Sequence, residues 1–141
     1  MPHYYDEHQN GKISLKRITA TILGNNLTLL SSGGVFSSKK IDYGSKLLVE
    51  RCVVKKNQKI LDMGCGYGVI GIALAKAYPT INVVMVDINR RAVKLAKMNV
   101  KLNGIKNAVV RQGNLYGGIK EKFDGIVVNP PQSAGKDVCY K

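Results

Sequence analysis

The sequence predicts an α/β fold: a parallel sheet with helical crossovers, entered through an N-terminal β-hairpin. Three observations lead there. Short apolar runs suited to buried strands, 59–63 (KILDM), 81–87 (INVVMVD) and 123–128 (FDGIVV), alternate with segments of helical periodicity. A glycine-rich turn, Asp62-Met63-Gly64-Cys65-Gly66-Tyr67-Gly68, joins the first run to the helical segment after it. The residues with evident chemistry fall at the carboxyl ends of the strands, where open parallel sheets bind ligands.

The elements follow in chain order. Residues 1–14 are polar and aperiodic. RITATIL (17–23) and NLTLLSS (26–32) are alternating, β-branched runs around Gly24-Asn25 and read as a hairpin. Residues 33–44 read as loop. In SKLLVERCVV (45–54) the helical spacing puts Leu47, Leu48, Arg51 and Cys52 on one face. After strand 59–63 and the glycine turn comes a helix over 69–78, stopped by Pro79. The run 81–87 is almost continuously apolar, as in a parallel strand covered on both faces. Residues 89–103 form an amphipathic helix, with Gly104 placed to end it. Strands are expected at 107–113 and 123–128, with right-handed crossovers. The chain thus divides into a hairpin and loop (1–44) and an α/β core (45–141).

The 141 residues make a single domain with 45% hydrophobic and 22% charged residues. No run reaches the roughly 20 apolar residues of a membrane span. The N-terminal MPHYYDEHQNGK has no apolar core of a secretion signal, so the expectation is a soluble, cytoplasmic protein with no membrane partner. The net charge of +13 favours a polyanionic partner, nucleic acid first. Cys52, Cys65 and Cys139 have no metal-ligand spacing and read as buried thiols in a reducing compartment, with no metal. His3 and His8 lie in the polar N-terminal segment without evident partners. Arg90, Lys94, Lys97 and Lys101 form one helical stripe, read as a solvated outer face or a track for phosphates.

The glycines Gly64, Gly66 and Gly68 permit a tight turn and close backbone approach to a ligand. The helix beyond them opens with free N–H groups and positive partial charge, suited to a carboxylate or phosphate. Asp62 suits an ammonium group, and Asp87 suits the two hydroxyls of a ribose. Those groups describe S-adenosylmethionine. A rival fits part of the pattern: Gly66-x-Gly68-x-x-Gly71 with Asp87 also matches a nicotinamide dinucleotide fingerprint, although Asp62 would repel a pyrophosphate. At the end of strand 123–128 stand Asn129-Pro130-Pro131-Gln132. The Asn129 side-chain oxygen and the Pro130 carbonyl are two acceptors on a stiff loop. They suit a planar amine whose lone pair must be aimed at a methyl group.

Together GGVFSSKKIDYGSKLLVE (33–50), ILDMGCGYGVIGIALA (60–75), VDINRRAVKLAKMN (86–99) and NPP-x-x-AGK (129–136) resemble the small-subunit ribosomal RNA guanine-N2 methyltransferases, which are class I S-adenosylmethionine-dependent enzymes. The resemblance runs from about residue 15 to the end and implies a Rossmann-like sheet, S-adenosylmethionine as cofactor and RNA, ribosomal RNA in particular, as partner. It implies that Phe36, Ser37, Asp42, Gly44 and Ser45 close over the cofactor. It also implies cofactor contacts from Asp62, Gly64, Cys65, Gly66, Gly68, Asp87, Ile88, Asn114, Leu115 and Asn129, with Asn114 facing the adenine where the family often has Asp. Asn129, Pro130 and Pro131 become the catalytic loop.

Two departures keep alternatives open. Gln132 stands where base-flipping relatives often carry an aromatic residue, so an adenine N6 amine or a protein glutamine remains an alternative acceptor. The resemblance also implies further strands after Asn-Pro-Pro. The sequence therefore reads as the N-terminal part of a methyltransferase domain, ending in the first turn of a helix and incomplete on its C-terminal side. Strand 123–128 would then be an open edge, and a homodimer through that edge is expected. A non-catalytic fragment that binds cofactor or RNA is the remaining alternative.

Overall fold

A computed structural model describes residues 15–32, 43–113, 121–128 and 138–140. Strands β1 (Leu15–Ile22) and β2 (Asn25–Ser32) form an antiparallel hairpin with Ile22 opposite Asn25. The two-residue turn is Leu23-Gly24, not Gly24-Asn25 as the sequence suggests. Both turn residues are left-handed, with φ of 51° and 79°. Leucine dislikes that region, but Leu23 packs against the core, and this burial offsets the cost.

Helix α1 (Tyr43–Arg51) follows, then β3 (Lys59–Met63), α2 (Val69–Ala77), β4 (Asn82–Asp87), α3 (Arg90–Leu102), β5 (Ala108–Gln112), β6 (Gly125–Val128) and β7 (Val138–Tyr140). The main sheet has the order β5-β4-β3-β6-β7. β3, β4, β5 and β6 are parallel, as the alternation of strands and helices predicts. The buried face of α1 is Ser45, Leu48, Val49 and Cys52, offset from the expected one, and Arg51 is exposed.

The other side of β6 corrects the sequence reading. β7 pairs antiparallel with it, Ile126 opposite Tyr140, so β6 is interior and residues 138–140 are strand rather than helix. A three-residue strand is too short for periodicity to reveal, although Val-Cys-Tyr suits β structure. The ground for a homodimer through an open β6 edge is thereby removed.

The main core joins the hairpin (Ile18, Ile22, Leu27, Leu29), the helices (Val49, Ile70, Leu74, Leu95) and one face of the sheet (Ile60, Val83, Met85). A smaller cluster of Leu61, Val84 and Val86 occupies the opposite face with Met63, Phe123 and Ile126. β4 is thus buried on both sides, as its composition implies. Asn89 caps α3 by accepting from the N–H groups of Arg91 (2.8 Å) and Ala92 (3.1 Å). The same helix ends in a Schellman motif, with Gly104 N–H on Lys101 O, Ile105 N–H on Val100 O, and Gly104 at φ 65°.

Among the described residues, no helix is long and apolar enough to cross a membrane, and no cluster of His, Cys, Asp or Glu could hold a metal.

Candidate functional site

The turn after β3 is folded back onto the end of β4. Gly64 and Cys65 both donate their N–H to Val86 O, at 2.8 and 3.0 Å. Gly66 N–H donates to Asp87 Oδ2 at 2.8 Å, and Gly68 N–H to Cys65 O at 3.0 Å. Gly64, Gly66 and Gly68 have φ of 71°, 58° and 105°, a region that a side chain would strain. Gly71 is needed for a different reason. A Cβ there would lie 2.2 Å from Met85 Sδ and 2.9 Å from Asp62 Oδ2, so only glycine lets α2 sit this close to the sheet.

Asp62 is fully buried under α2. Its Oδ2 accepts from Gly71 N–H at 3.0 Å, while Oδ1 is buried with no hydrogen-bond partner among the described residues. Burial, opposed by that hydrogen bond and aided by the nearby Asp87 charge, pushes the Asp62 carboxyl up to about 7. An oxygen left this way is costly unless something cationic or hydrogen-bonding reaches it. Asp87 is half-exposed at the adjacent strand end. Its Oδ2 holds Gly66 N–H and its Oδ1 accepts from Asn89 N–H at 2.9 Å. Each oxygen retains capacity for one more donor. Next to it Ile88 is 67% exposed, an apolar side chain presented at the rim. Gly113 N–H donates to Asp87 O at 3.0 Å, which brings the end of β5 to the same place.

Seven of the residues singled out by sequence (Asp62, Gly64, Cys65, Gly66, Gly68, Asp87 and Ile88) therefore meet at the ends of β3 and β4. Cys65 is a buried packing residue whose Sγ donates to Gly66 O at 3.5 Å. Burial, then the charges of Asp62 and Asp87, push its thiol far up, so it is no nucleophile. Ser45 is buried on α1, the helix against α2, and Gly44 precedes it in the same helix. Phe36, Ser37, Asp42, Asn114, Leu115, Asn129, Pro130, Pro131 and Gln132 lie outside the described residues.

Sequence reasoning missed Asn99. It is fully buried on α3. Its Nδ2 donates to Tyr67 O at 2.8 Å, inside the glycine turn, and to Leu30 O at 3.0 Å. Its Oδ1 accepts from Leu30 N–H at 2.7 Å. One helical turn later, Asn103 repeats the pairing on Thr28, accepting at 3.0 Å and donating at 2.8 Å. The available signal was Asn-x-x-x-Asn on the face expected to be apolar.

The sequence profile of the methyltransferase small domain family matches residues 26–141. An uncharacterized protein, YbxB, of Bacillus subtilis is 37% identical over 98% of this chain and 70% of its own length. The ribosomal RNA small subunit methyltransferase C of Buchnera aphidicola is 41% identical over 85% of this chain, and that of Aeromonas hydrophila 40% over 81%. The chain spans only 35% and 33% of those two proteins. Among solved structures, Pyrococcus abyssi tRNA (uracil-54, C5)-methyltransferase in complex with S-adenosyl-L-homocysteine superposes with a TM-score of 0.64 and 27% identity, over 87% of this chain and 29% of that one. The ribosomal protein L11 methylase of Lactobacillus delbrueckii gives 0.54 and 32%, over 61% and 44%. With its glycine turn, its two strand-end carboxylates and a profile match over most of its length, the chain belongs to the methyltransferase small domain family.

Proposed function

We propose that this chain is the cofactor-binding part of an S-adenosylmethionine-dependent methyltransferase acting on RNA in the cytoplasm, with the N2 amine of a ribosomal RNA guanine as acceptor. The observation that carries the reading is the pair of carboxylates flanking the glycine turn. Asp62 Oδ1, buried without a partner among the described residues, suits an ammonium, met directly or through water. The first turn of α2 offers N–H groups to a carboxylate. Asp87 keeps acceptor capacity for a ribose diol, and Ile88 offers an apolar surface to a base. When bound, S-adenosylmethionine supplies a methyl group activated by its sulfonium.

The chain's own contribution is orientation. β6 is in register with β3 so that Val128 pairs with Met63. The carboxyl end of β6 thus lies beside the end from which the glycine turn departs, and in the sequence Asn129-Pro130-Pro131 follows Val128. Asn129 and Pro130 are proposed to accept the two N–H groups of the acceptor amine and aim its lone pair. No strong base is required, because the amine sheds a proton after it becomes cationic. The net charge of +13 and the names of the ribosomal RNA relatives support RNA over a protein glutamine.

Calorimetry with S-adenosylhomocysteine and with NAD tests the cofactor. Binding of the first and not the second is expected, and the reverse overturns the reading. Methyl transfer to ribosomal RNA, in a form that extends as far as the longer relatives, tests the acceptor. Asn129→Ala is expected to lower the rate far more than cofactor affinity. Methylation of a glutamine peptide with none of RNA would move the assignment to protein.

A further inference from the structure

We propose that Asn99 is a positioning residue for the glycine turn, and that through it the docked hairpin helps set cofactor affinity. The inference rests on the cofactor reading above and concerns residues outside the binding motifs.

The turn from Gly64 to Gly68 is intrinsically soft, since three of its five residues are glycines in left-handed conformations. Most of its described anchors lie toward the sheet, at Val86 O and Asp87 Oδ2. On the other side, the Tyr67 carbonyl is held by Asn99 Nδ2 at 2.8 Å. Tyr67 stands between Gly66 and Gly68, so fixing its carbonyl fixes the peptide plane that joins Tyr67 to the left-handed Gly68.

Asn99 is itself fixed by the hairpin. Its oxygen accepts from Leu30 N–H, and its nitrogen donates to Leu30 O as well as to Tyr67 O. A flipped amide would set its oxygen against two carbonyls, so only one orientation satisfies all three groups. The side chain has no solvent exposure, and water cannot substitute for a lost partner without a rearrangement. Strand β2 and the glycine turn, remote in sequence, therefore share one rigid amide. Asn103 makes the matching pair of bonds to Thr28 and donates to Asn99 O at 2.8 Å, and among the described residues its side-chain hydrogen bonds reach none in the turn. It is a built-in control at the C-cap of the same helix: same strand, same chemistry, without the hydrogen bond to the turn.

Asn99→Asp keeps an acceptor for Leu30 N–H and removes both donors. At a temperature where it is fully folded, it is expected to bind S-adenosylhomocysteine about tenfold more weakly than wild type, the effect on the turn of the Tyr67 carbonyl losing its Asn99 donor. Asn103→Ala should lose thermal stability yet keep affinity within about twofold, because its side chain bonds to Thr28 and to the Asn99 backbone carbonyl, not to a residue of the turn. Equal affinity losses in the two variants, or none in Asn99→Asp, would overturn the inference. Hydrogen exchange on the wild-type chain gives an answer even where a variant fails to fold. Saturating S-adenosylhomocysteine should slow exchange at Leu30 N–H more than at Thr28 N–H, and equal or absent slowing at both overturns the coupling. Wild-type protein that binds no S-adenosylhomocysteine would instead overturn the cofactor reading, and this inference with it.

Discussion

The glycine turn lies between two fully buried polar side chains that are treated in opposite ways. On the hairpin side, Asn99 has every hydrogen-bonding group engaged by backbone. On the sheet side, Asp62 has one oxygen on Gly71 N–H and the other without a partner among the described residues. A neutral amide that is fully satisfied rigidifies the fold at little cost. A carboxylate that is half satisfied lowers stability and is retained where a ligand will complete it. The first holds the turn in place and the second is the one proposed to meet a ligand, so substitutions at each should differ in sign.

The largest effect is expected at Asn99. Asn99→Ala would take the Asn99 side chain away from the Leu30 N–H, the Leu30 carbonyl and the Tyr67 carbonyl and open a small cavity. A loss on the order of 3 kcal/mol follows, less than a simple sum because the groups are neighbours. Urea unfolding of variant and wild type measures it. A loss below about 1 kcal/mol would mean that these bonds are readily replaced by water.

Asp87→Ala comes next. It removes the acceptor proposed for the ribose and the anchor of Gly66 N–H at 2.8 Å. S-adenosylhomocysteine binding should weaken by roughly 1.5–3 kcal/mol, the range for hydrogen bonds to a charged group. Titration calorimetry checks it. Unchanged affinity would leave Asp87 as a structural cap for Asn89 and Gly66.

These two positions show what was legible in the sequence. Asp87 was visible because a carboxylate at a strand end after an apolar run has few structural uses. The βαβ order, the glycine turn and α3 with Gly104 were visible for similar reasons, since periodicity and φ requirements are local. Asn99 was not visible, because its partners are Leu30 and Tyr67 and only the tertiary fold brings them together. The hairpin turn was misplaced by one residue, as core packing of Leu23 outweighed the local preference for Gly-Asn. The face of α1 was offset because a buried serine, Ser45, gives no hydrophobic signal. β7 was missed because three residues carry no period. The loop residues Phe36, Asn114 and Asn129 remain sequence readings, outside the described residues.

Asp62→Asn should act in the opposite direction to Asn99→Ala. The Asp62 carboxyl titrates near 7 in the fold against 3.8 for its ordinary value. Between these values the folded chain holds a proton that the unfolded chain lacks, so stability falls as pH rises from about 4 to 7 and is level above. Asparagine removes the buried charge. The variant should be about 1 kcal/mol more stable than wild type at pH 8, after the cost of its own unpaired N–H, with the advantage gone at pH 4. Its affinity for S-adenosylhomocysteine should fall in exchange. Wild-type binding near pH 6.5 should release a proton, because an ammonium beside Asp62 favours its ionised form. Calorimetry in buffers of different ionisation enthalpy reads that proton. Proton uptake, or a variant less stable at pH 8, would show that Asp62 is already compensated.

The smallest effect is expected at a polar group with neither kind of burial. Lys97 is exposed on the outer stripe of α3, with Arg90 and Lys101 exposed on the same face. Leu95, Ala96 and Asn99 on the opposite face carry the packing. Lys97→Gln should change stability by less than about 0.5 kcal/mol, since it leaves no buried group unpaired. RNA binding is the sensitive readout. If the stripe follows phosphates, the variant should bind all RNA sequences more weakly and reduce the salt dependence by about one ion per substitution. If the salt dependence is unchanged, the stripe is a solvated outer face and RNA meets the protein elsewhere. Either result separates surface charge from the buried pair, because neither Asn99 nor Asp62 should alter the salt dependence of RNA binding at all.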